Sequence, residues 1–469
     1  MLGFQINHTS ALSNTKQLQN QIRAAILEGR LIAGDRLPST RTLSKDMLIA
    51  RNTVIEAYEQ LVAEGYLEST LGSGTYVANI GTLPRHKLPP DSSVADLIPP
   101  AKAWKAEDII AFDAGCPDIA SFPRTQWAKL LKESCMSADS NSLTYHDDAG
   151  NIRLRKAISN YAYRMKGIQC KQEQVVIVPG ASGGMEVLAK VFLREKNRIA
   201  LEDPCIHFVK TIFSDHGYEL CPVEVGDQGM SISSLGGYSD IDLIYIVPSH
   251  QFPMGEVFPA AQRIALLQYA NDQNAYIIED DYDSEFRYKG EALQAMVNLD
   301  QERVIYLGSF SKILAPALRI GYMILPEQLC EKVTYQLQQT NLRVGGIEQL
   351  AMAAFLEQRL LDRHIYRMRK LYETKRKHLM KLLHDTFGNQ IEITGEYAGM
   401  HLLVSFMREL TEMDRIAFDD CGVEIDYVED YAIVKGKHTN RIVLGYGGLS
   451  LTQMEEGVLR IKSAMDGVK

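Results

Sequence analysis

The residues best equipped for chemistry lie in GSFSKILAPALRIGY, Gly308–Tyr322. Lys312 follows a short apolar run, with Ser309 and Ser311 just before it and Arg319 seven residues after it. An amine in that setting can form a Schiff base with a cofactor aldehyde, while the hydroxyls and the guanidinium hold a dianionic phosphate. Standing alone, the segment also reads as a solvated lysine in an ordinary loop. Two other stretches change the balance. EDDYDSEFRY, Glu279–Tyr288, sets Asp280 at a strand end, where a carboxylate can pair with a protonated pyridine nitrogen; Tyr282 can donate to a phenolate oxygen of the same ring. VPGASGG, Val178–Gly184, puts Ser182, Gly183 and Gly184 between a strand and a helix, where backbone N–H groups converge on phosphate. A glycine turn is weak evidence by itself, but turn, aspartate and lysine at three strand ends point together to pyridoxal phosphate.

The elements that must position these groups are legible as apolar runs. QVVIV ends at Val178, RIAL ends at Leu201, and further runs cover Leu243–Val247, Ala275–Ile278 and Val304–Leu307. Several intervening stretches are long enough for crossover helices, so an α/β fold with a mostly parallel sheet, covered on both faces, is expected. From about Pro326 the helical signal dominates. Weaker strands at Leu402–Phe406 and Ile442–Leu444 point to a C-terminal α+β subdomain.

The first segment has a different pattern: helices over about Lys16–Glu28, from Ser39 through Met47, and over Arg51–Glu64, then a hairpin within Tyr66–Val77. Val54, Ala57, Tyr58, Leu61 and Val62 form one face of the third helix and must pack inward, leaving Arg51, Asn52 and Thr53 free at its first turn. This is the shape of a winged helix-turn-helix. An arginine there can meet guanine O6 and N7, Asn52 and Thr53 can reach a base edge or phosphate, and Ser73, Gly74 and Thr75 can offer backbone donors to the DNA backbone. The bland alternative is a small helical protein-interaction module.

Composition bounds the rest. The chain has 469 residues, 46% hydrophobic and 23% charged, which excludes a collagenous, mucin-like or wholly disordered protein. There is no apolar run of about 18 residues and no signal-peptide pattern at the start, so a cytoplasmic protein without membrane contact is expected. Seven scattered cysteines with no CxxC pair argue against a disulfide framework and a structural zinc site, and no metal is expected. The net charge of -9 discourages nucleic-acid binding overall. The deficit lies outside the first segment, however: Lys16, Arg23, Arg30, Arg36, Arg41, Lys45 and Arg51 balance its acids.

The run Leu37–Val77, through LPSTR, RNTV, AYEQLVAEGYL and GSGTYV, resembles the DNA-binding domain of the GntR superfamily. That resemblance implies that Arg41 and Arg51 approach double-stranded operator DNA, with Thr53 and Gly74 nearby. Residues of about 110–465 resemble fold-type I pyridoxal-phosphate enzymes of the aspartate aminotransferase superfamily. The resemblance implies that Asp280 faces the pyridine nitrogen, Tyr282 the 3'-oxygen, and Lys312 forms the internal aldimine. Ser182, Gly183, Ser309 and Arg319 would belong to the phosphate site, with Tyr145 reaching the phosphate of a partner subunit in a homodimer. The domain order resembles the MocR subfamily of regulators. The expected organisation is a winged helix head at 10–78, a proline-bearing linker at 79–107, a large domain at 108–325 and a C-terminal subdomain at 326–469.

The sequence departs from that pattern where relatives hold a carboxylate. Ile206 and His207 stand where tyrosine and arginine are usual, Met254 replaces a threonine, Phe252 an asparagine, and Val443 the arginine of the C-terminal strand. Arg441 lies two residues earlier and shares the face of Val443 in a strand, which makes it a candidate effector contact beside a structural ion pair. His207 and His250 read as packing residues or ligand contacts, and Phe208 as a core or pocket-wall aromatic. The leading expectation is a regulator that senses an amino-containing effector by aldimine exchange at Lys312. The competing readings are a working aminotransferase with a DNA-binding head, which would need substrate turnover, and a cofactor-free scaffold.

Overall fold

Helix periodicity and capping shape the first unit of the computed structural model, which describes residues 4–7, 10, 12–70, 73–81, 109–144, 147–195, 197–288 and 293–467. Helix α1 spans Asn14–Leu27, with the Ser13 hydroxyl accepting from the Lys16 N–H; α2 spans Thr40–Asp46, capped in the same way by Ser39. Helix α3, Arg51–Ala63, starts at Ala50 and has no side-chain cap. Strands β1, Leu67–Thr70, and β2, Gly74–Val77, pair antiparallel. Leu18, Ile22, Leu43, Val54, Ala57 and Leu61 meet in one small apolar core. Val62 is only half-buried at its edge.

The second unit, 103–469, is compact by itself. Its eight-stranded sheet is built from β3 (Val175–Val178), β4 (Arg198–Asp203), β5 (Glu219–Gly226), β6 (Gly229–Met230), β7 (Leu243–Ile246), β8 (Tyr276–Asp281), β9 (Val304–Ser309) and β10 (Gly321–Ile324). The order is β3-β10-β9-β8-β7-β4-β5-β6. From β9 to β5 every neighbouring pair is parallel, while β10 is antiparallel to both β9 and β3. Every residue of β3, β7 and β9 is buried, as continuous apolar strands with two covered faces require. Separate apolar clusters lie against each face.

A smaller antiparallel sheet follows, in the order β11 (Ile391–Thr394), β12 (His401–Phe406), β14 (Arg441–Gly445), β13 (Asp426–Tyr427). Packing draws the subdomain border differently from the expected break at 325. Leu329, Val333 and Leu337, and then Val344 through Ile365, belong to the cores of the large sheet. Conversely, Ile110 and Phe112 belong to the C-terminal core, and Ile110–Ala111 pairs parallel with Val423–Glu424. Burial of these apolar side chains, not chain order, sets that border. Of the expected linker, residues 82–107 lie outside the described residues, as does Tyr145.

Candidate cofactor pocket and nucleic-acid interface

Strands β3, β8 and β9 run in one direction, so their carboxyl ends open on the same edge of the sheet, where open α/β folds bind ligands. A cavity of about 420 Å³ lies there and is lined by Ser182, Asp280, Tyr282, Ser309, Lys312 and Arg319 among others. At one end of it, Arg319 donates to the Pro179 carbonyl and to the Ser182 hydroxyl, both at 2.8 Å. The helix Gly180–Val191 begins at this point without a side-chain cap, leaving its first N–H groups for an anion. Gly183 packs against the Pro179 ring so closely that a Cβ would sit 2.6 Å from it. The Ser309 hydroxyl accepts from the Ser311 N–H at 3.2 Å and shapes the turn leading to Lys312.

Lys312 Nζ donates to the Gly115 carbonyl. A Cβ at 115 would lie 2.8 Å from that nitrogen, so a side chain there would displace the lysine amine. Burial pushes the Lys312 amine below the usual lysine range, opposed by the charges of Asp113, Asp283 and Asp280. A larger neutral fraction makes the amine a better nucleophile.

Asp280 is 4% exposed, and burial raises its carboxyl from the ordinary 3.8 to about 7. Tyr245 donates to one carboxylate oxygen at 2.9 Å, whereas the other, Oδ1, is buried with no partner. An orphaned acceptor of this kind calls for a donor from a ligand, and a pyridinium N–H has that chemistry. The groups present therefore fit pyridoxal phosphate. Tyr245, an apolar-run residue, gave no sequence signal for this role.

The same carboxyl predicts a pH effect on the cofactor-free protein. The folded state keeps a proton that the unfolded chain has lost, so stability falls as pH rises from about 4 to about 7; buried Glu279, also raised to about 7, acts in the same sense. Asp280→Asn is expected to flatten this slope by about one proton, read from urea unfolding across the window. An unchanged slope would contradict the burial argument.

Tyr282 lines the cavity, but its hydroxyl donates to the His250 carbonyl at 3.0 Å and lies 3.1 Å from His250 Nδ1. His250 Nδ1 is in turn 3.0 Å from Asp283, and His250, Asp283 and His401 form one buried cluster. His250 is thus a packing residue behind Tyr282.

The effector candidates are dispersed. Phe208 lines the cavity with Ile206, Phe252 and Tyr431. His207 stacks on Tyr431 at 4.5 Å, and burial lowers its pKa. Val443 is fully buried in a cluster with Phe252, Met254 and Tyr431, behind the cavity wall. Arg441 reaches Met254 sulfur at 3.9 Å and His438 Nδ1 at 3.4 Å, while its Nε is buried without a partner. Neither Arg441 nor Val443 lines the cavity: Val443 packs in the cluster with Phe252 and Met254, and Arg441 reaches Met254. Asp113, Asp426 and Tyr431, which do line it, had no motif to announce them.

In the first unit, Arg41, Arg51 and Asn52 are exposed and Thr53 half-buried. Arg51 Nε donates to Thr40 Oγ1 at 3.4 Å, which joins the starts of α2 and α3. Gly74 opens β2 at φ +122°, and a Cβ there would come 3.0 Å from Arg36 Nε. Arg36 thus packs on the wing, a contact that charge counting did not reveal.

Comparison with known proteins accords with both units. Residues 14–77 match the family of bacterial regulatory proteins, gntR family, and residues 107–443 match aminotransferase class I and II. The probable rhizopine catabolism regulatory protein MocR of Rhizobium meliloti is 34% identical, over 96% of this chain and 93% of that one. The pyridoxine biosynthesis regulator PdxR of Corynebacterium glutamicum is 31% identical, over 82% and 81%. Among solved structures, the multiple substrate aminotransferase of Thermococcus profundus superposes with a TM-score of 0.71 at 26% identity, covering 81% of this chain and 97% of that one. The kynurenine aminotransferase of Pyrococcus horikoshii gives 0.71 at 24%, covering 77% and 92%, and shows the fold. No described helix is long and apolar enough to cross a membrane. With a helix-turn-helix head and a fold-type I body on one chain, this protein belongs to the MocR group of GntR-type transcriptional regulators.

Proposed function

We propose that the protein is a pyridoxal-phosphate-dependent regulator whose hold on operator DNA changes when an amino-containing effector reaches Lys312. The observation that carries this reading is the buried Lys312 amine in one cavity with the orphaned Asp280 oxygen, on a chain with a DNA-binding head. When bound, the cofactor would supply an aldehyde reactive toward primary amines, and Lys312 is the residue that would hold it. Asp280 would hold the ring nitrogen in its protonated form. Ser182, Gly183, Ser309 and Arg319 would hold the phosphate, with Tyr145 of a second subunit completing that site in a homodimer. Tyr282, tied to His250, would fix the opposite edge of the ring. Effector arrival would free Lys312, whose amine lies against the Gly115 carbonyl within the influence of Asp113. For this to reach the DNA, the two arrangements of the dimer must differ in effector affinity.

The reading is tested by titrating the holoprotein with primary amines while following the cofactor absorption band and operator binding together. Both are expected to change over the same concentration range. A DNA response with no spectral change would overturn sensing at Lys312.

For the head, Arg41, Arg51, Asn52, Thr53 and Gly74 form the proposed DNA surface. Arg51→Ala is expected to cost roughly 1 to 3 kcal/mol of operator affinity at matched salt if the arginine reads a base. Cofactor content and thermal stability should stay the same, since Arg51 is exposed and its one bond, to Thr40, is long. Unchanged operator affinity would show that another residue reads the site.

A further inference from the structure

Away from the Ser182–Arg319 end, the cavity wall is made by Asp113, Asp426, Phe252, Tyr431, Phe208 and Ile206. It carries two carboxylates and no arginine or histidine. Asp426, on β13, is held by the Tyr431 hydroxyl and the Ala114 N–H, and Asp113 accepts from the Gly115 N–H at 2.6 Å. These donors are neutral, and neither carboxylate forms an ion pair among the described residues; the amine that feels Asp113 most is that of Lys312, which the cofactor engages in the loaded protein. Phe252 and Tyr431 meet edge to face at 5.0 Å beside them.

We propose that Asp113 and Asp426, with the rings of Phe252 and Tyr431, form a subsite for a second ammonium group, so that the effector is a short aliphatic diamine. This rests on the amine-sensing reading above. Burial and the neighbouring charge of Asp113 raise the Asp426 carboxyl above the ordinary aspartate range, a penalty that an ammonium between the two would relieve. Aromatic faces add attraction for the same charge. A carboxylate at the far end of the ligand would instead meet two like charges in a partly dry site. A methyl there would leave both acids unpaired and gain only apolar contact. Arg441 reaches the Met254 sulfur and does not line the cavity.

The test uses full-length protein loaded with pyridoxal phosphate and three probes with the same four-carbon chain: 1,4-diaminobutane, n-butylamine and 4-aminobutanoate. Affinities come from calorimetry, with the cofactor band recorded in parallel. The diamine is expected to bind at least about tenfold more tightly than either of the others. Asp426→Asn should bring that ratio below about threefold, consistent with the loss of one charged partner. Asp113→Asn, at the open mouth of the cavity, provides the same comparison should Asp426→Asn fail to fold. Equal affinity for all three probes, tighter binding of 4-aminobutanoate, or a ratio that survives both substitutions would overturn the diamine subsite while leaving amine sensing intact. If no probe shifts the band of the loaded protein, amine sensing fails and the subsite falls with it.

Discussion

Lys312→Ala protein is expected to carry no covalently attached cofactor, whereas borohydride reduction of the parent should fix one pyridoxyl group on Lys312. The effect is all or none because Lys312 is the single lysine among the residues lining the cavity, and a Schiff base needs a primary amine. The substitution removes one hydrogen bond, to the Gly115 carbonyl, and no ion pair, so the fold should survive. Peptide mass spectrometry after reduction reads the result. Attachment at another lysine would refute the assignment, and an unchanged melting temperature of the variant would confirm that its loss is chemical.

The second large effect is structural and lies beside the first. Lys166, at the end of the helix Ile152–Lys166, bonds to Asp281 at 2.8 Å and Glu285 at 2.7 Å, with all three side chains at most 7% exposed. Tyr306 donates to Asp281 at 2.6 Å and Tyr161 to Glu285 at 2.7 Å. The neighbouring carboxylates push the Lys166 amine up against the cost of burial, and the lysine holds Asp281 below the usual aspartate range. Lys166→Ala leaves two buried carboxylates with neutral donors only, and should cost about 3 to 5 kcal/mol in urea unfolding at neutral pH. The deficit should shrink as pH falls and the stranded acids protonate: Asp281, depressed in the parent, contributes stability that is lost at low pH there but is already missing in the variant. Adding Asp281→Asn should recover part of the loss. A cost near that of an exposed pair, under about 1 kcal/mol, would show that water reaches the cluster. Asp281 adjoins Asp280 on β8, so cofactor affinity should drop with it.

That Ser182, Asp280, Ser309, Lys312 and Arg319 share one cavity was readable from sequence because each part is local. An apolar run fixes where a strand ends, and the chemistry sits within a few residues of that end: Ser182 after β3, Asp280 on β8, Ser309 and Lys312 at the end of β9. The helices of the head were readable for the same reason, since a 3.6-residue apolar period and a serine cap are short-range signals. The rest of the cavity wall was not. Asp113, Asp426 and Tyr431 come from segments some three hundred positions apart and meet because Ile110–Ala111 pairs with Val423–Glu424. No local pattern encodes that pairing.

Strand alternation likewise set Arg441 and Val443 on a common face, yet a face does not name its neighbour. Packing decided the outcome: Val443 is buried in a cluster with Met254 and Phe252, and Arg441 reaches the Met254 sulfur. The amino-acid sequence by itself determined the two-part architecture, the family and the order along the chain of the groups proposed to hold the cofactor, because these follow from short-range periodicity and motif. Tertiary structure alone decided how each polar group is partnered: the Asp280 oxygen left without a partner, the Tyr282 hydroxyl turned to His250, and the acidic, aromatic wall of the cavity. Burial and hydrogen-bond satisfaction depend on every segment that packs around a group, so they exist only once the chain has closed on itself.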